Sequence, residues 1–337
     1  MKKFVKSREM GLVILLAILM VIISVKNPAF IRPSNILNIL KTNVILAIVS
    51  LGMLVVMITG GIDTSVGAII STATLVTGNI MVRITGNIWI AFLAGAVTGI
   101  FIGILNGLLI AYIQIPPIVV TLGMYSIVSG TALYITKGAY INNLPDTFTD
   151  FGRITFLNIF PDGNGGKMGI PIQLVFLAAL IGLTYFILHF TKIGRGIFAV
   201  GGNRMSAERI GFNVNKITVF VYGYMGFICG IAGVVHTSIM RQVDPNAFVG
   251  YDMQTIAAVI LGGVNVMGGE GTITGTLLGV ALFAVINNGL TLMKISTYWQ
   301  SIILGALMVV SICFVVIRKN QSEKRQIKVE IDQEVTK

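Results

Sequence analysis

Apolar residues come in long runs, broken by short polar or glycine-containing stretches. A helix that crosses a bilayer needs ~20 mostly apolar residues. On that ruler, spans fall near 10–25, 36–59, 65–82, 88–113, 117–135, 171–190, 217–239, 252–267, 272–293 and 297–317, about ten in all. Those near 65–82 and 252–267 are short, so either can be a broken or re-entrant helix. The pattern predicts an all-α polytopic membrane bundle, with a single transmembrane domain over 1–320 and a polar tail over 321–337.

Composition supports this reading. Of 337 residues, 55% are hydrophobic and 11% charged, more apolar surface than a soluble domain can bury. The formal charge of +11 is spread between apolar runs, which argues against nucleic-acid binding. Its distribution sets the sides. The interior stretch 191–216 carries Lys192, Arg195, Arg204, Arg209 and Lys216 against one acid, Glu208, and Lys and Arg crowd the cytoplasmic side of membrane proteins. The 191–216 loop is therefore expected inside, together with both termini, where Lys2, Lys3, Lys6, Arg8 and Arg318, Lys319, Lys324, Arg325 lie. No small-x-small cleavage site follows the first apolar run, so it reads as an uncleaved span. The longest outside loop is 136–169. Within 191–216, a short helix is expected from Ser206 to Ile210, after a turn at Gly201, Gly202 and Asn203, with Gly211 as its stop.

Glycine recurs at helical spacing. Gly95, Gly99, Gly103 and Gly107 share one face; so do Gly271, Gly275 and Gly279; Gly223, Gly226, Gly230 and Gly233 line a third helix. Small residues at this spacing let helices approach closely in lipid. A weak internal echo joins Gly60, Gly61 and Asp63 to Gly268, Gly269 and Glu270: each is a double-glycine break, an acid and then a helix.

The polar residues inside apolar runs are few. Asp63 or Thr64 fits a helix cap, and an intramembrane acid also marks functional sites. Asp63, Ser65, Asn106, Thr121, Asn287 and Asn288 each suit either an interhelical hydrogen bond or the lining of a path for a polar, uncharged solute. The lack of buried acid pairs and arginine runs argues for a neutral substrate. Cys229 and Cys313 sit in apolar runs and are expected to be free; His189 and His236 lie on different spans without partners, so no metal site is expected. The stretch 163–168 has Met168 where a P-loop needs Ser or Thr.

Several motifs resemble those of the sugar-type permeases of bacterial ABC importers. They are PAF (28–30) with NILNIL (35–40), TGGIDTSVG (59–67), PIVVTLG (117–123), GRGIFAVGGN (194–203), GFNVNK (211–216), IAAVILGG (256–263), GGEG (268–271) and NNGL (287–290). The resemblance runs from about Asn27 to Val316. It implies a type II importer-like permease of the bacterial inner membrane that translocates a monosaccharide of the ribose type and performs no enzymatic reaction itself. It also implies a second permease copy, two cytoplasmic ATP-binding subunits that hold the ATP, and an extracytoplasmic sugar-binding protein. The 191–216 loop would then hold the coupling helix, with Gly194, Arg195, Gly201, Gly202, Asn203, Ala207, Glu208, Arg209 and Gly211 at the contact with the ATPase. Thr64 stands where the usual motif has Leu, and 136–169 and Arg241–Pro245 depart from the family pattern. These departures lie toward the outside, where the binding protein would dock, and leave the sugar open. An autoinducer-2 permease, a branched-chain amino-acid permease of the same superfamily and a self-contained secondary transporter are the alternatives.

Overall fold

The computed structural model describes residues 8–161 and 167–296, and beyond them 298–300, 302, 303, 305, 306, 309 and 313. Lys2, Lys3, Lys6, the loop 162–166, most of the span expected at 297–317 and the tail 321–337 lie outside the described residues.

Eight described helices are long and apolar enough to span a membrane. They are α1 (Arg8–Lys26), α2 (Pro33–Ile58), α3 (Val66–Arg83), α4 (Ile88–Tyr112), α5 (Pro117–Thr136), α7 (Gln173–Phe190), α10 (Val214–Met240) and α12 (Ile273–Leu292). The shorter helices are α6 (Asp146–Phe151), α8 (Lys192–Gly202), α9 (Arg204–Arg209) and α11 (Tyr251–Leu261). One antiparallel hairpin, β1 (Thr155–Pro161) with β2 (Lys167–Pro171), joins α6 to α7.

The centre is α2, buried on every side from Val44 to Ile58, as expected of a helix hydrophobic all round. Beside it, α4 and α10 meet along the first glycine row. A Cβ on Gly99 or Gly103 would collide with the backbone of Gly226 or Tyr222, and one on Gly95 would lie 2.9 Å from the Gly230 carbonyl. The expected row is therefore a backbone-to-backbone contact. The other rows divide. Gly233 faces α3, where its Cβ would lie 3.0 Å from that of Ala73, and Gly223 meets only Ile104. Gly275 and Gly279 abut the end of α11, while Gly271 meets Leu54 and Ile58.

The expected span at 252–267 is an eleven-residue helix, α11, that covers only ~16 Å at 1.5 Å per residue. Gly262 and Gly263 end it, the latter at φ +87°. The segment before it dips into the bundle, with Val243, Pro245 and Phe248 buried and Gly67, in the first turn of α3, pressed on the Phe248 carbonyl. Both α3 and α11 thus begin inside the bundle.

The element ends sort onto two faces. At one, Gly269 N–H donates to the Ile58 carbonyl at 2.8 Å, and the Thr272 and Thr274 hydroxyls donate to Glu9 Oε1 at 2.7 and 2.6 Å. At the other, Thr147 Oγ1 donates to the Gly86 carbonyl at 3.0 Å, Ile141 pairs with Val243, and Asn27 Nδ2 donates to the Leu292 carbonyl at 3.1 Å. This is the alternation of sides that the span order predicts.

Two connections differ from expectation. Residues 192–202 form a helix inside the stretch expected as a loop, and Gly201 and Gly202, expected in a turn, are its last two residues. Three of its four glycines serve close approach: a Cβ on Gly194 would strike the Ile187 and Leu188 carbonyls, one on Gly196 would lie 2.5 Å from Ile217, and one on Gly201 would strike the Ile58 carbonyl. The 136–169 loop contains α6 and the hairpin.

Candidate functional site

Two places combine the sequence-selected residues. The first is a buried polar relay at the start of α3. After α2 ends at Ile58, Gly60 turns the chain at φ +79°, a conformation that favours glycine. Gly61 passes beneath Tyr222; a Cβ there would lie 2.6 Å from Oη. Asp63 Oδ1 then accepts from Ser65 N–H at 2.8 Å and from Ser65 Oγ at 2.5 Å. Asn106, between Gly103 and Gly107 on α4, donates through Nδ2 to Ser65 Oγ at 2.9 Å. Thr64 Oγ1 and Thr121 Oγ1, on α5, share a hydrogen bond of 3.0 Å. The relay links α3, α4 and α5. Asp63 serves the amide of Ser65 itself, and Ser65, the N-cap of α3, makes no side-chain cap bond.

Asp63 and Asn106 are 0% exposed and Tyr222 1%. Asp63 Oδ2, Asn106 Oδ1 and Tyr222 Oη have no protein hydrogen-bond partner. Asp252, in the first turn of α11, is also buried. Each of the two helices that begin inside the bundle thus has an acid near its N-terminus, where the helix dipole favours negative charge. The sequence reading missed Tyr222 and Asp252. Tyr222 sits in a glycine-rich run that reads as packing, and Asp252 reads as an ordinary helix start.

Asn287 and Asn288 are not part of this relay. Asn288 and Asn35 donate to each other, both at 3.0 Å, in a reciprocal amide pair between α12 and α2. The carbonyl of Asn287, half-buried, accepts from Thr291 Oγ1.

The second place is a platform built from α8 and α9. Thr191 caps α8, accepting from Gly194 N–H at 3.0 Å. Asn203 ends α8 and caps α9, accepting from Ser206 N–H at 2.9 Å. Gly211 follows at φ +92°, and Asn213 caps α10 through Lys216 N–H at 2.9 Å. The α9 helix expected near Ser206 begins at Arg204. Ala207 is buried beneath it, while Arg195, Gly202, Arg204, Glu208 and Arg209 are exposed. Glu208 faces Arg204 one turn back, at 4.0 Å, since consecutive side chains such as Glu208 and Arg209 point apart on a helix. Met205 and Ile210 stand 68% and 71% exposed among these charges. The platform rests on the two glycine breaks. Gly201 abuts the Ile58 carbonyl, and its Cβ would lie 2.6 Å from Gly269 N. A Cβ on Gly268 would lie 2.8 Å from Gly60 N. The two breaks that echo each other in sequence are in contact.

Among the described residues no three His, Cys, Asp or Glu side chains gather as a metal site. His189 stacks on Tyr185 and His236 meets Phe248 edge-on. Cys229 and Cys313 are free.

A multi-helix membrane bundle with a charged platform seated on the glycine breaks that lead into α3 and α12 fits a transport permease, and the family of the chain agrees. The chain belongs to the family described as branched-chain amino acid transport system / permease component, whose model matches residues 35–312. It is similar to the ribose import permease protein RbsC of Bacillus subtilis (33% identity, 90% of this chain and 92% of that one) and to that of Haemophilus influenzae (35% identity, 89% and 90%). It is also similar to the L-arabinose ABC transporter permease protein AraH of Azospirillum brasilense (30% identity, 94% and 90%). No solved structure matches it.

Proposed function

We propose that this chain is the membrane permease subunit of an ATP-driven importer of a monosaccharide, of the ribose type, in the bacterial inner membrane. The observation that carries the mechanism is the seat of α8 on the glycine breaks. A displacement of the platform is passed through Gly201 to the Ile58 carbonyl and Gly269, and so to the chain leading into α3 and α12. The platform side is cytoplasmic in this reading, as its basic excess argues. The exposed Met205 and Ile210, set among Arg204, Glu208 and Arg209, are the surface for an ATP-binding subunit, because an apolar patch rimmed by charge marks a protein contact. ATP is bound and hydrolysed there, by the partner. A second permease copy and an extracytoplasmic sugar-binding protein complete the assembly.

Asp63, Ser65, Asn106 and the Thr64–Thr121 pair hold the start of α3 while the bundle is closed. When α3 and α10 part, Asp63 Oδ2, Asn106 Oδ1 and Tyr222 Oη are free to meet sugar hydroxyls. The Asn35–Asn288 pair, with Asn287 beside it, belongs to the α2/α12 contact. The sugar class rests on the relatives named for ribose and arabinose at 30% identity or more across nine-tenths of both chains.

The test is uptake of a panel of labelled pentoses, hexoses and branched-chain amino acids by cells lacking the chain, with and without it restored. Pentose uptake that returns with the chain and needs a hydrolysable ATP pool supports the reading. Restoration of leucine uptake alone would replace the sugar by the substrate of the family's description.

A further inference from the structure

The hairpin between α6 and α7 is exposed along most of β1, apolar side chains included. Thr155 pairs with Pro171 and Phe156 with Ile170; the register then shifts before Phe160 meets Met168. In the extra length of β1, Asn158 turns its amide across the hairpin toward Gly169, and Asn158 Oδ1 accepts from Thr155 Oγ1 at 2.9 Å. The two polar side chains of the strand satisfy each other. Leu157 adopts φ +51°, a left-handed backbone that leucine rarely takes, and stands 67% exposed, as does Ile159. Ile154 and Phe156 are exposed as well. No charge interrupts 154–160; Lys167 stands at one end of the pairing, and Arg153, at the other, pairs with Asp150 at 3.3 Å. In water this arrangement is unfavourable twice over, because apolar groups face out and the backbone is strained to put one there.

The hairpin is also continuous with a lipid-facing helix. Ile172 N–H donates to the Ile154 carbonyl at 3.0 Å, and β2 runs through Pro171 directly into α7. That helix exposes Val175 near the hairpin and Tyr185, Phe186 and Phe190 further along, an apolar face without a neighbour among the described residues.

We propose that the hairpin lies in the lipid headgroup layer beside α7, with Phe156, Leu157 and Ile159 turned into the bilayer and Lys167 reaching lipid phosphates. It fixes the depth of the outer end of α7. Apolar side chains in the open, with the Thr155 hydroxyl bonded to Asn158 within the strand, suit the edge of a bilayer better than water, and a basic residue beside such a surface complements anionic headgroups. A docked protein is the other candidate for such a surface, but a face continuous with that of α7 and charged only at its ends fits lipid. The proposal rests on the membrane placement and sidedness given above.

The full chain, with Trp89→Phe and Trp299→Phe and transport verified, receives single probes: Leu157→Trp, Ile159→Trp, Phe186→Trp on α7, and Asn142→Trp in the same outer loop. Each is reconstituted in vesicles of phosphatidylglycerol and phosphatidylcholine brominated either high or deep in the acyl chain. The expected result is loss of most hairpin emission with shallow bromines, little effect of aqueous iodide, and the reverse at Asn142→Trp. Phe186→Trp should respond to deep bromines. Hairpin probes open to iodide and blind to bromine would overturn the proposal. So would probes shielded from both, which mark a contact between copies, and probes shielded from iodide only when a binding protein is added. If Phe186→Trp is also blind to bromine, the membrane placement of α7 falls, and the anchor with it.

Discussion

Gly201, in the last turn of α8, lies against the carbonyl oxygen of Ile58, the last residue of α2, with no room for a methyl group between them. Gly202, next in sequence, has open space where its Cβ would be. The pair separates contact from mere tolerance of glycine. Gly201→Val should lower substrate-stimulated ATP hydrolysis of the assembled complex at least tenfold and reduce the melting temperature, since overpacking typically costs ~1–3 kcal/mol. Gly202→Ala should leave the melting temperature unchanged. Equal shifts in melting temperature at the two positions would remove the Gly201 contact from the coupling route.

The Asn106–Ser65–Asp63 relay should behave as one unit. Hydrogen bonds between membrane helices average ~0.6 kcal/mol and reach ~1.7. This one ends on a carboxylate and belongs near the upper figure. A double-mutant cycle of Asn106→Ala and Ser65→Ala, read by reversible unfolding in detergent, should give a coupling energy of ~1 kcal/mol or more. Additive losses would mean that the two side chains act separately.

Glu208 should matter more for coupling than for folding. Its partner is Arg204, and both are about half exposed, so the pair contributes ~0–1 kcal/mol at most before screening. Glu208→Ala should insert at near-normal amounts while stimulated ATP hydrolysis falls several-fold. Loss of protein from the membrane with normal coupling in what remains would assign it a structural role.

Along the α4/α10 contact, Gly99→Leu and Gly103→Leu should each lower the melting temperature by several degrees, because the incoming side chain meets backbone that cannot yield. Val97→Leu, on the exposed side of the same helix, should do almost nothing. A silent Gly103→Leu would contradict the close approach of the two helices.

The sidedness has a direct check. Asn203→Cys, exposed at the platform, should react with an impermeant thiol reagent only in inverted vesicles. Labelling from outside intact cells would reverse every span.

Most of this fold was legible in the apolar runs because a bilayer imposes a length on each helix. Where the sequence misled, glycine was the cause. Residues 194–202 read as loop and turn, yet they form a helix whose partners, Ile187, Ile58 and Ile217, lie elsewhere in the chain. The span near 252–267, already short in the sequence, is cut to the eleven residues of α11 by Gly262 and Gly263. Of the polar candidates, Asp63, Ser65, Asn106 and Thr121 are buried and Asn287 and Asn288 half-buried, and their grouping was not readable. Asn106 meets a serine 41 positions away, while Asn288 turns to Asn35, 253 positions away. Tyr222 was hidden because its hydroxyl gains meaning only from Gly61 beneath it.

The glycine row between α4 and α10 has a mechanical consequence. Where side chains separate two helices, the helices can slide, because rotamers readjust with each small step. Here main chain rests on main chain at Gly99 and Gly226, and nothing between them can readjust. The two helices form a spine whose contact leaves no side chain to readjust. Whatever opens and closes must swing about it, on the side where α3 and α11 begin.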